Sequence, residues 1–228
     1  MRASGAGKES RQLGSPTARL ALCWVSLSVL RDSGFRTVSF REFQSMRKFV
    51  AFCMMALAAV NVVNAADIKS GLQVDEFPAA FNVTDITGPS AGEKLCYRCQ
   101  YGARPVISIF VRKMDENTLK LVKELDAVVG KNAEDKKMAA FVTVLTDDPD
   151  AQEAALKKAA EEQKIEHTPL TVFENAVGPA KYKISEKASV TVMMWVDSNV
   201  KVNYAFEDGK LDAEAIGKIV KDTEKILN

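Results

Sequence analysis

Among 228 residues the chain holds one histidine, four cysteines and seven prolines, and aromatic side chains make up only 7% of it. With His167 as the sole imidazole, no His-rich metal centre or histidine pair can be built. Cys96 and Cys99 would supply only half of a tetrahedral zinc site, and there is no second Cys-x-x-Cys to complete it. Gln100 follows Cys99, which excludes the Cys-x-x-Cys-His attachment of haem. The sequence therefore implies no metal and no cofactor. The apolar run Phe49 to Val63 falls short of the roughly 20 residues that a membrane-spanning helix needs.

A basic excess is also missing where it would matter. Residues 1–65 hold 9 Lys and Arg and 3 Asp and Glu of the 31 and 30 in the chain, leaving 22 basic against 27 acidic residues in 66–228. That part carries a net charge of −5, so the neutral overall balance hides an acidic domain, which argues against nucleic-acid binding.

What is present at the N-terminus reads as an export signal. Met46-Arg47-Lys48 is a short basic start, Phe49 to Val63 an apolar segment, and Val63-Asn64-Ala65 places small residues where a signal peptidase cuts. Cleavage is expected after Ala65, and an uncleaved N-terminal anchor is the alternative. Residues 1–45 are rich in Arg, Ser and Gly and predict no folded element. With a complete signal headed by Met46, they read as a non-native or disordered extension, a long signal extension being the alternative. The expected location is periplasmic or secreted, with no membrane attachment after cleavage. Residues 66–80 form an extended lead-in and 81–228 one domain.

Within that domain, Phe81 to Thr87 alternates as a half-buried strand does. Pro105 to Val111 is a β-branched and aromatic run, the mark of a strand buried on both faces, and Ala139 to Leu145 reads as a second buried strand. A helix capped by Asp115 or Asn117 runs to about Val129, with Gly130 closing it. Asp148-Pro149 opens an Ala-rich helix to about Lys164. Pro169 to Phe173 is a short strand, Val190 to Val196 and Val200 to Phe206 form a hairpin, and Leu211 to Leu227 is an amphipathic closing helix. Strands separated by helices imply parallel crossovers, and the late hairpin makes the sheet mixed.

This order resembles the thioredoxin superfamily, in particular its branch of peroxiredoxins (alkyl hydroperoxide reductase and thiol-specific antioxidant proteins). Phe81 to Gly88 resembles that branch's "F-x-L-x-D-x-x-G" segment, and Arg104 to Phe110 its "G-K-P-V-V-L-x-F" strand. His167 to Val172 is similar to "F-P-L-L-S-D", and Thr191 to Val202 to "T-x-x-x-I-D-x-x-G-x-V". The resemblance implies an α/β thioredoxin-like sandwich, a mixed central sheet flanked by helices, with an N-terminal strand or hairpin extension. It also implies a reactive cysteine just after the central strand, where a helix N-terminus stabilises the thiolate. Here Arg112 to Thr118 carry no thiol, and the family's cis-proline position reads Val190.

Cys96-Tyr97-Arg98-Cys99 is the remaining chemistry. A bridge between these residues needs the chain to turn, because three extended residues span about 10 Å and a disulfide needs Cα atoms within about 7 Å. The expectation is a displaced thiol–disulfide redox pair acting through Cys96 and Cys99, with Arg98 and Arg104 favouring a thiolate and a redox protein as partner. The alternative is a non-catalytic thioredoxin-like binding module in which the pair is a staple. Because Pro105 opens the central strand, the pair is expected near that strand's N-terminal end, on a hairpin or one helical turn, away from Met114 and Val190. Ser90-Ala91-Gly92-Glu93 has the form of a capping box. Oligomeric state is not encoded in any of these features.

Overall fold

The computed structural model describes residues 68–228. The extension expected at 1–45 and the signal segment expected at 46–65 lie outside the described residues. The seven strands are β1 (Val83–Asp85), β2 (Lys94–Leu95), β3 (Val106–Val111), β4 (Ala139–Leu145), β5 (Leu170–Phe173), β6 (Val190–Val196) and β7 (Asn199–Phe206). The helices are α1 (Tyr97–Tyr101), α2 (Glu116–Asn132), α3 (Pro149–Gln163) and α4 (Ala213–Asp222), with 3-10 turns at Ala180–Tyr182 and Thr223–Ile226.

The strands form one sheet in the order β2-β1-β5-β4-β3-β6-β7. β3, β4 and β5 are parallel, while β6 runs antiparallel to β3, β7 to β6, β1 to β5 and β2 to β1. Every residue of β3 and β4 is buried, the polar Ser108 and Thr143 included, as strands covered on both faces require. Asp197 and Ser198 both take positive φ (53° and 61°), giving the two-residue turn whose twist suits the β6–β7 hairpin. Asn199 belongs to β7 rather than to that turn.

One face of the sheet carries the three long helices. Leu121, Val122, Leu125 and Val129 of α2 are at most 2% exposed and pack with Leu156 of α3 and with Ile216 and Ile219 of α4. Burial of each such side chain contributes about 1.5–3 kcal/mol. Asp115, Asp148 and Asp212 cap these helices, their carboxylates accepting from Thr118, Ala151 and Ala215 amides. The closing helix expected from Leu211 to Leu227 is therefore shorter, starting after Asp212 and ending as a 3-10 turn.

Gly130 does not close α2, which continues to Asn132. A Cβ on Gly130 would lie 2.6 Å from the His167 ring, so the glycine provides room for that ring against the helix. The same junction is tied by the buried Asp126, whose carboxylate accepts from the His167 amide at 2.8 Å and the Glu166 amide at 3.2 Å.

The opposite face is covered by irregular chain and aromatic rings. Phe110, Phe141 and Trp195 of the sheet meet Phe81, Tyr97 and Tyr182, with Leu72, Met193 and Val200 among them. Residues 68–82 contain no helix or strand and cross this face from β7 towards β1. Asn203 Nδ2 donates to the Ser70 and Leu72 carbonyls, and the Val200 amide to the Glu76 carbonyl, holding the segment down.

Candidate functional site: the Cys96–Cys99 disulfide

The short β1–β2 hairpin delivers the chain to the cysteines. Ser90 to Glu93 make a turn rather than a helix cap: Glu93 N donates to the Ser90 carbonyl and Gly92 has φ of 90°. Thr84 pairs with Lys94 and Val83 with Leu95, after which the five residues of α1 begin. Cys96 is the N-cap residue and Gly102, with φ of 58°, is the C-cap. The turn brings the two Cα atoms to 5.2 Å, and the sulfurs are joined as a disulfide. Cys99 is exposed, Cys96 is half-buried, and the Cys99 amide donates to Cys96 Sγ at 3.1 Å.

The two intervening side chains point into different surroundings. Tyr97 is 1% exposed and stacks on Phe141 with ring centroids 5.6 Å apart. Its hydroxyl donates to Asp85 Oδ2 at 2.8 Å. Burial, then the Asp85 carboxylate, push the Tyr97 phenol far above its ordinary range. Asp85 is fully buried and also accepts from the Gly88 and Ser90 amides at 2.8 and 2.9 Å. Gly88 is required beside it, since a Cβ there would sit 2.3 Å from the Tyr97 hydroxyl. Arg98 turns the other way, donating through Nε to the Pro78 carbonyl at 3.0 Å and through Nη1 to the Gly102 carbonyl at 3.4 Å. Sequence reasoning found the cysteines but missed Asp85, Tyr97 and Pro78 as their supports.

The pair's position differs in part from expectation. Register runs from Lys94 through Thr84, Val172 and Val144 to Val111, so β2 lies level with the C-terminal end of β3. β2 is nevertheless the sheet's edge, four inter-strand spacings from β3, or about 19 Å. From that edge α1 folds over the aromatic face, and only its downstream chain reaches the N-terminal end of β3, where Asp197 N donates to the Ala103 carbonyl. The two-residue strand β2 is the reason: it carries the chain along the edge before the helix returns it.

At the place where the resemblance puts a reactive thiol, the structure is closed. Arg112, one residue beyond β3, donates to the carbonyls of Ala176, Ser185 and Ala188 and pins the segment after β5 there. Val190 pairs with Val111. Asp115 caps α2 and Met114 packs against the helical-face core.

The other residues singled out by sequence lie apart from the disulfide. His167 is exposed beside Gly130, and Arg104 is exposed at the loop after α1. Asp147 accepts from the Ala176 amide at 2.9 Å and Asp148 caps α3. Met193 and Trp195 belong to the aromatic-face core and Met194 to the helical-face core. Asn82 is exposed. Among the described residues no group of three or more His, Cys, Asp or Glu is placed to hold a metal ion, and no helix is long and apolar enough to cross a membrane.

No family model and no curated protein matches the chain. Solved structures do match. A putative protein disulfide isomerase from Bacteroides thetaiotaomicron aligns at a TM-score of 0.54 and 13% identity, covering 70% of this chain and 94% of its own. A putative thiol:disulfide interchange protein DsbE from Chlorobium tepidum aligns at 0.53 and 11%, covering 69% and 99%. A peroxiredoxin-like protein from Aquifex aeolicus aligns at 0.47 and 12%, covering 70% and 90%. At these identities the likeness is one of fold. The described chain is a thioredoxin-like α/β domain, a mixed seven-stranded sheet flanked by helices, with a Cys-x-x-Cys disulfide between Cys96 and Cys99.

Proposed function

We propose that the protein is exported and exchanges disulfides with a partner protein through Cys96 and Cys99. The observation that carries this reading is the exposure of Cys99 in a bonded pair whose other sulfur is half-buried and accepts an amide N–H. A thiolate of a dithiol partner attacks Cys99 Sγ, the S–S bond breaks, and its electron pair leaves on Cys96 Sγ. The Cys99 N–H is already placed to stabilise that thiolate, which favours departure. The partner's second thiolate then displaces Cys99 from the mixed disulfide. Two electrons pass to this protein, the partner becomes a disulfide, and both cysteines end as thiols.

The competing staple role is weakened by the anchors of α1. Closing a four-residue loop supplies about 2 kcal/mol in the chain-entropy model. Tyr97 and Arg98 already fix the same segment through Asp85, Phe141 and Pro78.

Oxidised protein incubated with glutathione, quenched in acid and mapped by mass spectrometry should carry glutathione on Cys99. Cys96→Ser treated with glutathione disulfide should accumulate the same adduct, because the thiol that would expel it is gone. An adduct confined to Cys96, or no adduct at all, contradicts the reading.

Export rests on the Met46 signal and the charge break at Ala65. On this reading residues 81–228 are the working domain, 66–80 its lead-in, and the location is periplasmic or secreted. N-terminal sequencing of exported protein should begin Ala66-Asp67-Ile68. A mature N-terminus within residues 1–45 would overturn both the start site and the cleavage site.

A further inference from the structure

Tyr97 and Arg98 occupy the two places between the cysteines, and each is tied to a different part of the molecule. We propose that they are positioning residues which keep Cys96 and Cys99 at bonding distance in the reduced form and so favour the disulfide over the dithiol, setting the reduction potential of the pair. The inference rests on the redox reading above.

A helix of five residues has no stability of its own, since the cost of nucleating a first turn is not recovered over so short a length. In the oxidised protein the disulfide closes this turn. In the reduced protein only tertiary contacts can. Tyr97 holds the N-terminal half from beneath, through its stack on Phe141 and its hydroxyl bond to Asp85. Arg98 holds the other half from the side, its Nη1 on the C-cap carbonyl of Gly102 and its Nε on the Pro78 carbonyl of the lead-in. The anchors and the disulfide thus favour the same local geometry.

Two constraints on one turn reinforce each other, and by linkage the reinforcement is mutual. The anchors raise the effective concentration of each thiol at the other, which shifts exchange towards the disulfide. With dithiothreitol as co-reactant, its two thiols lose two electrons and two protons and become a cyclic disulfide, while Cys96–Cys99 gains them and becomes a dithiol. Removing an anchor lets the dithiol relax and moves this equilibrium towards it.

The test is the equilibrium constant against the dithiothreitol couple, measured on the full chain. Arg98→Ala is expected to shift it threefold to tenfold towards the dithiol, a rise in potential of about 14–30 mV for a two-electron couple. Tyr97→Phe removes only the hydroxyl bond to Asp85 and should move the constant in the same direction by less. Asp126→Asn weakens the fold at the His167 junction and should leave the constant at the wild-type value. A merely structural role for Arg98 would reproduce the Asp126→Asn result, and an unchanged or lowered potential in both Arg98→Ala and Tyr97→Phe overturns the proposal. Failure of the wild-type pair to equilibrate with dithiothreitol would instead remove the redox reading, and this inference with it.

Discussion

Asp85→Ala is expected to lower the stability of the domain by about 4 kcal/mol, since bonds to a charged acceptor are worth roughly 1.5–3 kcal/mol each and buried orphans add to the loss. Three donors converge on that carboxylate: the Gly88 amide, the Ser90 amide and the Tyr97 hydroxyl. The hydroxyl suffers most, because Tyr97 is 1% exposed and has no water to turn to. Asp85→Asn keeps the shape but turns one acceptor into a donor facing donors, so it should recover only a minor part. Urea denaturation with an unchanged m-value is the appropriate measurement. A loss below about 1 kcal/mol would show that the β1–β2 turn holds without its central acceptor.

The second large effect is alkaline. All four tyrosines have phenols pushed above their ordinary range, in each case chiefly by burial. Asp85 adds to it at Tyr97, and Asp222, which accepts from the Tyr204 hydroxyl at 2.5 Å, adds to it at Tyr204. Because the folded state resists ionisation, it binds protons that the unfolded chain releases. The tyrosine contribution is therefore fully present below about pH 10 and is lost as pH rises above it. For the two core tyrosines, Tyr97 and Tyr182, the loss approaches about 3 kcal/mol per pH unit in that range. Tyrosinate absorbance should therefore appear between about pH 10 and 12 in one cooperative step with the loss of far-UV circular dichroism. Absorbance rising smoothly around pH 10 while the circular dichroism stays native would contradict the burial of these hydroxyls.

The elements legible in the sequence are those whose burial leaves a long mark. β3 and β4 are almost wholly apolar, broken only by the buried Ser108 and Thr143, because both faces are covered, and Asp148-Pro149 marks the start of α3. β1 came out shorter than Phe81 to Thr87, since the Ile86 and Thr87 amides both turn to the Leu170 carbonyl. What sequence could not deliver was the support of the disulfide. A two-residue strand and a five-residue helix leave no periodicity to read. The spacing of Tyr97 and Tyr101, one helical turn apart before Gly102, is the only local sign of α1, and it is visible once a turn is suspected. The burial of Asp85 depends on a hydroxyl twelve positions on, a tertiary fact that alternation along β1 does not contain.

The segment from Arg112 to Thr118 shows the converse. Its lack of a thiol was plain from the sequence, but the structure adds that the place is filled. The Arg112 guanidinium occupies three backbone carbonyls, which locks the chain from Ala176 to Ala188 over the end of β3. Chemistry at that end of the sheet would require breaking those bonds.

The reduction potential of Cys96–Cys99, taken at equilibrium against glutathione and dithiothreitol couples, tests the central claim most directly. An exchanging pair with an exposed Cys99 should lie above about −300 mV and respond fully and reversibly to both couples. A value well below about −300 mV, with the disulfide intact in the presence of excess glutathione, would make it a structural bridge and contradict the account.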